Sequence, residues 1–508
     1  MRHGCRLPLL IALLATGGCA AGPGYRRPDV HAPPSFAPAP GGPASPDAPP
    51  PEFARWWRAL NDPELDALVE RAVKANPDIE IALAHLQEAR TFEVGIVSGG
   101  LPAAEASAGA GKGTGSDTTR ARGAPTLTAA DNTKGLTQLN EIAGFDAIWE
   151  LDLFGRYRRE WQAAHFDAQA SLAARNAVLV AVISDVTRAY VDYRGLQTRT
   201  AVLHAAIKAL SESQRIAEIR YQRGITNELD AVLARRELAV LEAGVAPVDA
   251  ELRAAQFTIA VLLGEYPQAL DAELAAPGLV PTVPASVDAG LPVDLLRRRP
   301  DVLQAEWELA AATARIGVAT TNLFPRIAIT GALGYQRQAL GVTPTVGEHL
   351  WSLGPAAVWP LLDFGALDAQ VEIADLETHA RLVNYRKVIE NAVRDVDTAA
   401  TALAAARERL VKLGDALIAS QRAVTLANER YVRGLTDFLN VVDAERQEYS
   451  IEDEYAAAQV SAGEEFIALY RGLGGGWQSY QSLPPRYVPK PAIIAAFQRV
   501  LGGGDASK

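Results

Sequence analysis

Few residues in this chain could do chemistry. The only thiols are Cys5 and Cys19. Arg2 and Arg6 make a short basic start, Leu7 to Ala15 is apolar, Thr16-Gly17-Gly18 are small, and Cys19 follows. This is the layout of an export signal. Its terminal cysteine predicts lipoprotein processing: the sulfur takes a diacylglyceryl group, and cleavage after residue 18 leaves Cys19 as the acylated first residue. Several acyl chains on one residue anchor stably where a single chain is marginal.

Other reactive arrangements fail on spacing. No cysteine follows Cys19, so neither a disulfide framework nor a cysteine zinc site can form beyond it. The seven histidines are scattered, with no His-x-x-x-His pair, and predict no metal site. Gly109-Ala-Gly-Lys-Gly-Thr-Gly115 resembles a phosphate loop only superficially. Ala106 stands where its first glycine belongs, and Gly113 follows Lys112 where Ser or Thr is needed. Glu464-Glu465 reads as a solvated helix face. No Ser-His-Asp or Cys-His arrangement can be read. The sequence therefore predicts no catalytic residue, no metal and no cofactor beyond the covalent lipid on Cys19.

The remaining candidates are charges on regular elements. In Phe145-Asp-Ala-Ile-Trp-Glu-Leu-Asp-Leu153 the odd positions are apolar, while Asp146, Glu150 and Asp152 share the even side. Arg326 to Gln336 alternates in the same way, with Ile327, Ile329, Leu333 and Tyr335 on its odd side. Period two predicts strands. Pro102 to Thr114 alternates weakly, and by the repeat described next Ala104, Ala106 and Ala110 take the apolar side. Each chain is expected to supply about four strands of roughly nine to thirteen residues, enough to cross a bilayer when tilted. The richest apolar run, Ala177 to Ile183, falls far short of the ~20 residues of a membrane helix. The acidic face of Asp146, Glu150 and Asp152 would line a lumen.

What positions these residues is a duplicated body. Arg220 to Arg236 matches Arg430 to Arg446 at an offset of 210, with nine identities. Trp149, Leu151, Phe154 and Gly155 match Trp359, Leu361, Phe364 and Gly365 at the same offset. Earlier in each half, Pro77-Asp78 and Pro102 match Pro300-Asp301 and Pro325 at 223, so the first half carries thirteen extra residues between Pro102 and Trp149, read as a longer loop. From Arg156 to Arg223 there is no proline, which predicts a helix of about 100 Å. Leu179, Ile183, Val186, Tyr190 and Tyr193 recur every 3.5 residues on average, as do Ile389, Val393, Val396, Ala400 and Leu403, the period of coiled-coil packing. Gly224 and Gly434 should end these helices in tight turns, with return helices near 226–263 and 436–472.

Composition supports this plan. Hydrophobic residues make up 49 % and charged residues 21 %, which excludes a disordered chain. The net charge of −11 becomes −13 once the two arginines of the signal are removed, which argues against nucleic-acid binding. Eleven of the thirty-one prolines lie between Pro23 and Pro51, an extended tether, and Asn61-Asp62-Pro63-Glu64 predicts the first helix start.

Several stretches resemble the outer-membrane efflux protein family, in its lipoprotein branch. They are Cys19 to Val30, Trp56-Trp57 with Asp62-Pro63-Glu64-Leu65, Leu291 to Asp301, Ala310 to Val318 and Leu323-Phe-Pro-Arg326. The resemblance implies a mainly α fold with a membrane β-barrel: a homotrimeric, twelve-stranded barrel, four strands per chain, continued by a long helical coiled-coil barrel. It implies a passive, gated duct of a tripartite drug-efflux system, not an enzyme, working with a periplasmic adaptor and an inner-membrane RND-type pump. A related duct for protein secretion is the alternative. Ala20 after the cysteine resembles lipoproteins sorted to the outer membrane. The resemblance also implies that Arg220, Tyr221, Gly224 and Gly434 belong to tips that meet the adaptor, and that Arg430, Tyr431 and Asp443 constrict a periplasmic gate, with Arg430 as the nearest cation for Asp443. The expected organisation is a signal over 1–18, a tether over 19–60, repeats over 61–270 and 290–473, and a tail over 474–508.

Overall fold

The computed structural model describes residues 20–29, 33, 51–114, 137–284, 298–340 and 346–484. Cys19, the loop within 115–136 and the tail beyond residue 484 lie outside them. After short helical turns at Pro51–Ala54 and Trp56–Leu60 come α1 (Pro63–Ala75), α2 (Pro77–Gly99), β1 (Ala103–Thr114), β2 (Thr137–Leu151) and α3 (Arg156–Gln222). Then follow α4 (Glu228–Ala243), α5 (Val245–Leu262), α6 (Pro300–Thr321), β3 (Arg326–Leu340), β4 (Val346–Val358), α7 (Ala366–Val432) and α8 (Phe438–Gly472). Residues cluster into two units. One contains 87–170 and 305–385 with the N-terminal residues up to 29; the other contains 30–86, 171–304 and 386–508.

The first unit holds the sheet, four antiparallel strands in the order β1-β2-β3-β4. The strands have 12, 15, 15 and 13 residues, so two are longer than expected. β2 begins eight residues before Phe145 and stops at Leu151, so Asp152 lies beyond the strand. β4, which alternation did not delimit, pairs with β3 over Val346–Val358.

The second unit is helical. Asp62 starts α1 by accepting from the backbone N–H groups of Glu64 (2.9 Å) and Leu65 (3.2 Å), with Pro63 at the first turn. α3 and α7 each run 67 residues, which leaves their stability to packing rather than propensity. Leu179, Ile183, Val186 and Tyr190 are fully buried and Tyr193 nearly so, as the 3.5-residue period requires. In the second half Ile389, Val396, Ala400 and Leu403 are buried and Val393 is half-buried. α3 contains an 18-residue stretch of mean hydropathy 1.3, apolar and long enough to cross a membrane, but 61 % of it is buried inside the protein, as in a core helix. Trp56 stacks on Tyr470 (5.3 Å between centroids) and Trp57 on Tyr480 (6.4 Å), so the paired tryptophans are a packing feature. The Arg298-Arg-Pro-Asp301 run has a similar role. Buried Arg299 donates to the Gly472 carbonyl (2.9 Å) and pairs with Asp301 (2.7 Å) and Asp395 (3.3 Å).

One return helix differs from expectation. The first half has two helices where a single one over 226–263 was expected. Gly244 separates α4 from α5, and Pro247 three residues later removes the N–H that would have bonded back to the preceding turn. Glu454 stands at the Gly244 position in the second half, and α8 runs unbroken for 35 residues.

Candidate functional site

The sheet sorts its side chains by face. Register places Phe145 opposite Leu333 and Trp149 opposite Ile329. It places Leu333 opposite Trp351 and Gly331 opposite Leu353. On β1 the even positions join them, Ala106 opposite Phe145 and Ala104 opposite Ala147. From the Phe145 row to the Leu151 end one face is thus apolar, with His349 and the Glu141–Arg337 pair (3.4 Å) beyond it, and it is exposed: Trp351 is 77 % and Leu353 73 % accessible. A pleated sheet with such a face needs an apolar neighbour.

The other face carries Asp146, which lies directly opposite Glu105. Like charges in that position are destabilising. Glu150 is on the same strand, but its carboxylate is held by Arg156 through two 3.0 Å contacts, and Arg156 also reaches Glu160 at 2.8 Å. Asp152, expected on the strand face, instead caps α3: it accepts from the N–H groups of Tyr157 (3.2 Å) and Arg158 (3.1 Å) and from the Arg158 side chain. An acid before a helix start satisfies orphan donors there, which is why alternation alone misplaced it.

Both strand exits are built alike. The Trp149 indole donates to the Gly100 carbonyl (3.2 Å), and the Trp359 indole to the Leu323 carbonyl (3.1 Å). Gly155 and Gly365 turn each chain into its helix at φ +84° and +86°.

At the helix ends in the second unit, Gly224 and Gly434 adopt φ +70° and +71°. Gly224 donates to the Tyr221 carbonyl and Ile225 to that of Arg220; Gly434 and Leu435 do the same with Tyr431 and Arg430. These are Schellman ends. Among the described residues, and apart from the adjoining backbone, no atom lies within 4 Å of where a Cβ on either glycine would stand. Ile225 and Leu435 beside them are about 60 % exposed. Tyr221 is partly exposed, whereas Tyr431 is buried in a cluster with Phe438, Val441, Val442, Ala217 and Ala234. Asp443 and Arg430 are exposed, and they are not partners: Asp443 pairs with Arg446 at 3.0 Å, one turn along its own helix. A three-residue helical spacing wins because it needs no ordering of a second element. Above the tips lies a cavity of about 430 Å³ lined by Glu237, Glu448 and Glu452 among others. There Ser213 donates to Glu445 at 2.5 Å, and burial pushes the Glu445 carboxyl up.

The tether expected over 19–60 is not free at its start: residues 21–27 are fastened at several points. Ala21 donates to the Phe154 carbonyl (3.0 Å). The Arg159 guanidinium donates to the carbonyls of Ala21 and Gly22, both at 2.9 Å. Tyr25 (3.3 Å) and Arg27 (2.5 Å) bind Glu306. Gly22, at φ +80°, passes so close to Gly317 that an added Cβ would come within 2.5 Å of its Cα. Gly317 stands inside the Ala310 to Val318 stretch, and that unexplained glycine was the available signal. At the repeat offsets Gly317 corresponds to Val94 and Arg159 to Ala369, so only one half can hold this strap.

Comparison with known proteins decides the assignment. The outer membrane efflux protein family matches residues 68–265 and 291–475. The chain belongs to this family. It is 29 % identical over 479 residues to the toluene efflux pump outer membrane protein TtgC of Pseudomonas putida, covering 93 % of this chain and 95 % of that one. It is 27 % identical over 496 residues to nodulation protein T of Rhizobium leguminosarum bv. viciae, covering 95 % and 96 %. The solved outer-membrane channel OprN superposes with a TM-score of 0.81 at 32 % identity, covering 91 % of this chain and all of that one. As a member of this family the chain is an outer-membrane efflux channel component, and the four-stranded sheet and the long helices are its barrel and tunnel elements.

Proposed function

We propose that three copies of this chain form a passive, gated duct, the exit component of a tripartite pump that moves small toxic molecules from the periplasm to the outside. The sheet carries this reading. It has an exposed apolar face, an opposite face with Asp146 and Glu105, and two open edges. Four strands cannot close, and open edges do not occur in lipid. Two chains would give eight strands with a side-chain-filled interior, whereas three give twelve and a conduit. The face of Asp146, with Glu150 at its rim, then lines the lumen.

Cys19 anchors the chain through its acyl groups. The tips at Arg220, Tyr221, Gly224 and Gly434 meet a periplasmic adaptor, Arg430, Tyr431 and Asp443 sit at the aperture, and an inner-membrane RND-type pump supplies energy and selection. The chain itself catalyses nothing. Purified trimer in planar bilayers should show discrete conductance steps, and a strain lacking the chain should regain resistance to exported compounds on its return. A native trimer that never conducts and never restores resistance would sink this reading.

A further inference from the structure

The cavity above the tips has walls that packing alone does not explain. It encloses about 430 Å³ between α3, α4, α7 and α8, and every lining residue belongs to the helical unit of a single chain. Leu210, Ile216, Leu241, Val424 and Val442 supply apolar walls, and Ala205, Ala206 and Ala209 leave the space open. An apolar cavity of about 150 Å³ already takes a benzene ring, and small-molecule sites of about 300–1,000 Å³ combine mostly apolar walls with a few polar groups. The polar groups here are acids. Five carboxylates line the cavity against one guanidinium, that of Arg446. Arg446 is committed to Asp443, Glu212 to Arg215 and Glu237 to Arg236. Glu445, Glu448 and Glu452 remain, with no cation paired to any of them among the described residues. Their spacing of three and then four puts them on one face of α8.

Glu445 carries the argument further. Buried Ser213 donates to its Oε1, but its Oε2 is buried and accepts no hydrogen bond among the described residues. Burial pushes this carboxyl up and Glu448 pushes it further, while Ser213 and Asn428 only partly draw it back. Buried carboxylates are ordinarily paired. The repeat shows that the shared fold does not require acids here: at the offset of 210, Glu445 corresponds to Arg235 and Glu448 to Leu238. Among the described residues no group of three acids, histidines or cysteines is arranged to hold a metal ion, and apolar walls offer a bare ion nothing. We propose that this cavity binds a small organic cation, a primary ammonium on an apolar body of about one ring and a short chain. The ammonium brings three donors and makes charge-assisted bonds to Glu445 Oε2 and to Glu448, while the body lies against Leu210, Ile216 and Val424. The site needs neither the duct nor the trimer, so it stands or falls apart from the function proposed above.

The test is a titration of the purified full-length protein in lipid nanodiscs with 4-phenylbutylamine, corrected with empty nanodiscs, near neutral pH where an alkylamine is protonated. Saturable binding of one molecule per chain is expected. 4-Phenylbutan-1-ol, the same body without the charge, should bind at least tenfold more weakly. Glu445→Gln should weaken amine binding at least tenfold. Ala206→Leu, which fills the cavity and keeps every carboxylate, should do the same. Native mass and helical circular dichroism check that each variant folds as the wild type does. The comparison of amine with alcohol uses the wild-type protein and decides the matter if a variant does not fold. Equal affinity for amine and alcohol, or no saturable binding, overturns the proposal. Amine binding indifferent to Ala206→Leu puts the cation elsewhere on the acidic surface and overturns the site. Binding indifferent to Glu445→Gln overturns the part given to that carboxylate.

Discussion

The Arg220 guanidinium lies 4.6 Å from the centroid of the Tyr431 ring. Its side chain also donates to the Val432 carbonyl at 3.4 Å. These residues belong to the two repeat tips, so a cation at the end of α3 covers the ring at the end of α7. The Tyr431 hydroxyl reaches Asp230 at 3.5 Å on the first return helix. Truncating Arg220 removes a cation–π contact of about 1 kcal/mol and uncovers the ring. Arg220→Ala should therefore loosen one tip from the other and raise single-channel conductance, while trimer yield stays within twofold. Unaltered conductance would separate this contact from the aperture.

Asp443 gives a different expectation. Its bond to Arg446 is an exposed pair three residues apart, of the kind that contributes about 0.3 kcal/mol. Asp443→Ala should leave the melting temperature within about 1 °C. If three copies of Asp443 surround the aperture, conductance and cation selectivity should nonetheless change. Arg430→Ala, which breaks no ion pair among the described residues, serves as the comparison. Wild-type conductance in both variants would assign the constriction to other residues.

The two faces of β2 predict opposite responses to charge. Asp146→Lys places a cation opposite Glu105 and turns a repulsion into an attraction of about 0.2–1 kcal/mol. Trp149→Asp puts a charge on the apolar face, and near the membrane rim that costs roughly 1 kcal/mol besides the lost indole bond to Gly100. Folded trimer recovered from outer membranes should be normal or higher for the first and clearly reduced for the second. The reverse ranking would mean that the faces are assigned the wrong way round.

Asp192 on α3 provides a pH test. Burial, and then the nearby Glu464 carboxylate, push its pKa up to about 6, while Arg188 pulls it down. Arg188 is itself paired with Glu464 at 3.0 Å, so Glu464 is not simply solvated. An acid whose folded pKa is raised binds its proton more tightly folded than unfolded. Its ionised form is therefore a penalty above pH 6, relieved as pH falls toward about 4. Asp192→Asn should stabilise the protein near pH 7.5 by about 1 kcal/mol after allowance for partial solvation, and do nothing near pH 4. Melting temperatures of variant and wild type across pH 4–8 check this; parallel curves would refute it.

The periodic parts of this molecule were legible because burial repeats with the backbone. Leu179 through Tyr193 could be assigned to a packed seam by spacing alone, and the apolar side of β1 followed from the repeat although from Ala104 to Ala110 it is only alanine. Position at an element's end was harder. Asp152 continues the alternation of β2, but the donors it satisfies belong to the next helix. Pro247 was visible, yet its effect depends on whether the helix has already turned at Gly244. Pairings were hardest: Arg430 is nearer to Tyr431 in sequence, but Arg220 from the other repeat occupies the ring, and Asp443 takes the cation one turn away.

The N-terminal strap is the last expectation. Gly22→Val would drive a branched side chain against the Gly317 backbone at a positive φ, with a cost of at least about 1–3 kcal/mol. The segment should detach and become cleavable by added protease, while mass spectrometry of the N-terminal peptide still finds acylated Cys19. An equally protected segment would show that the Arg159 and Glu306 contacts suffice without the close approach.

Duplication would ordinarily give a chain two equivalent berths for such a segment. Here Val94 fills one of them with a side chain, and Ala369 leaves it without a guanidinium. The pseudosymmetry that builds the walls is thus cancelled at one address. In a ring of identical chains every N-terminal strap then has a single mooring, next to the exit of β2 and never next to that of β4. The ring carries one strap for every two such exits, and a copy of this chain cannot fasten its strap a half-repeat out of place.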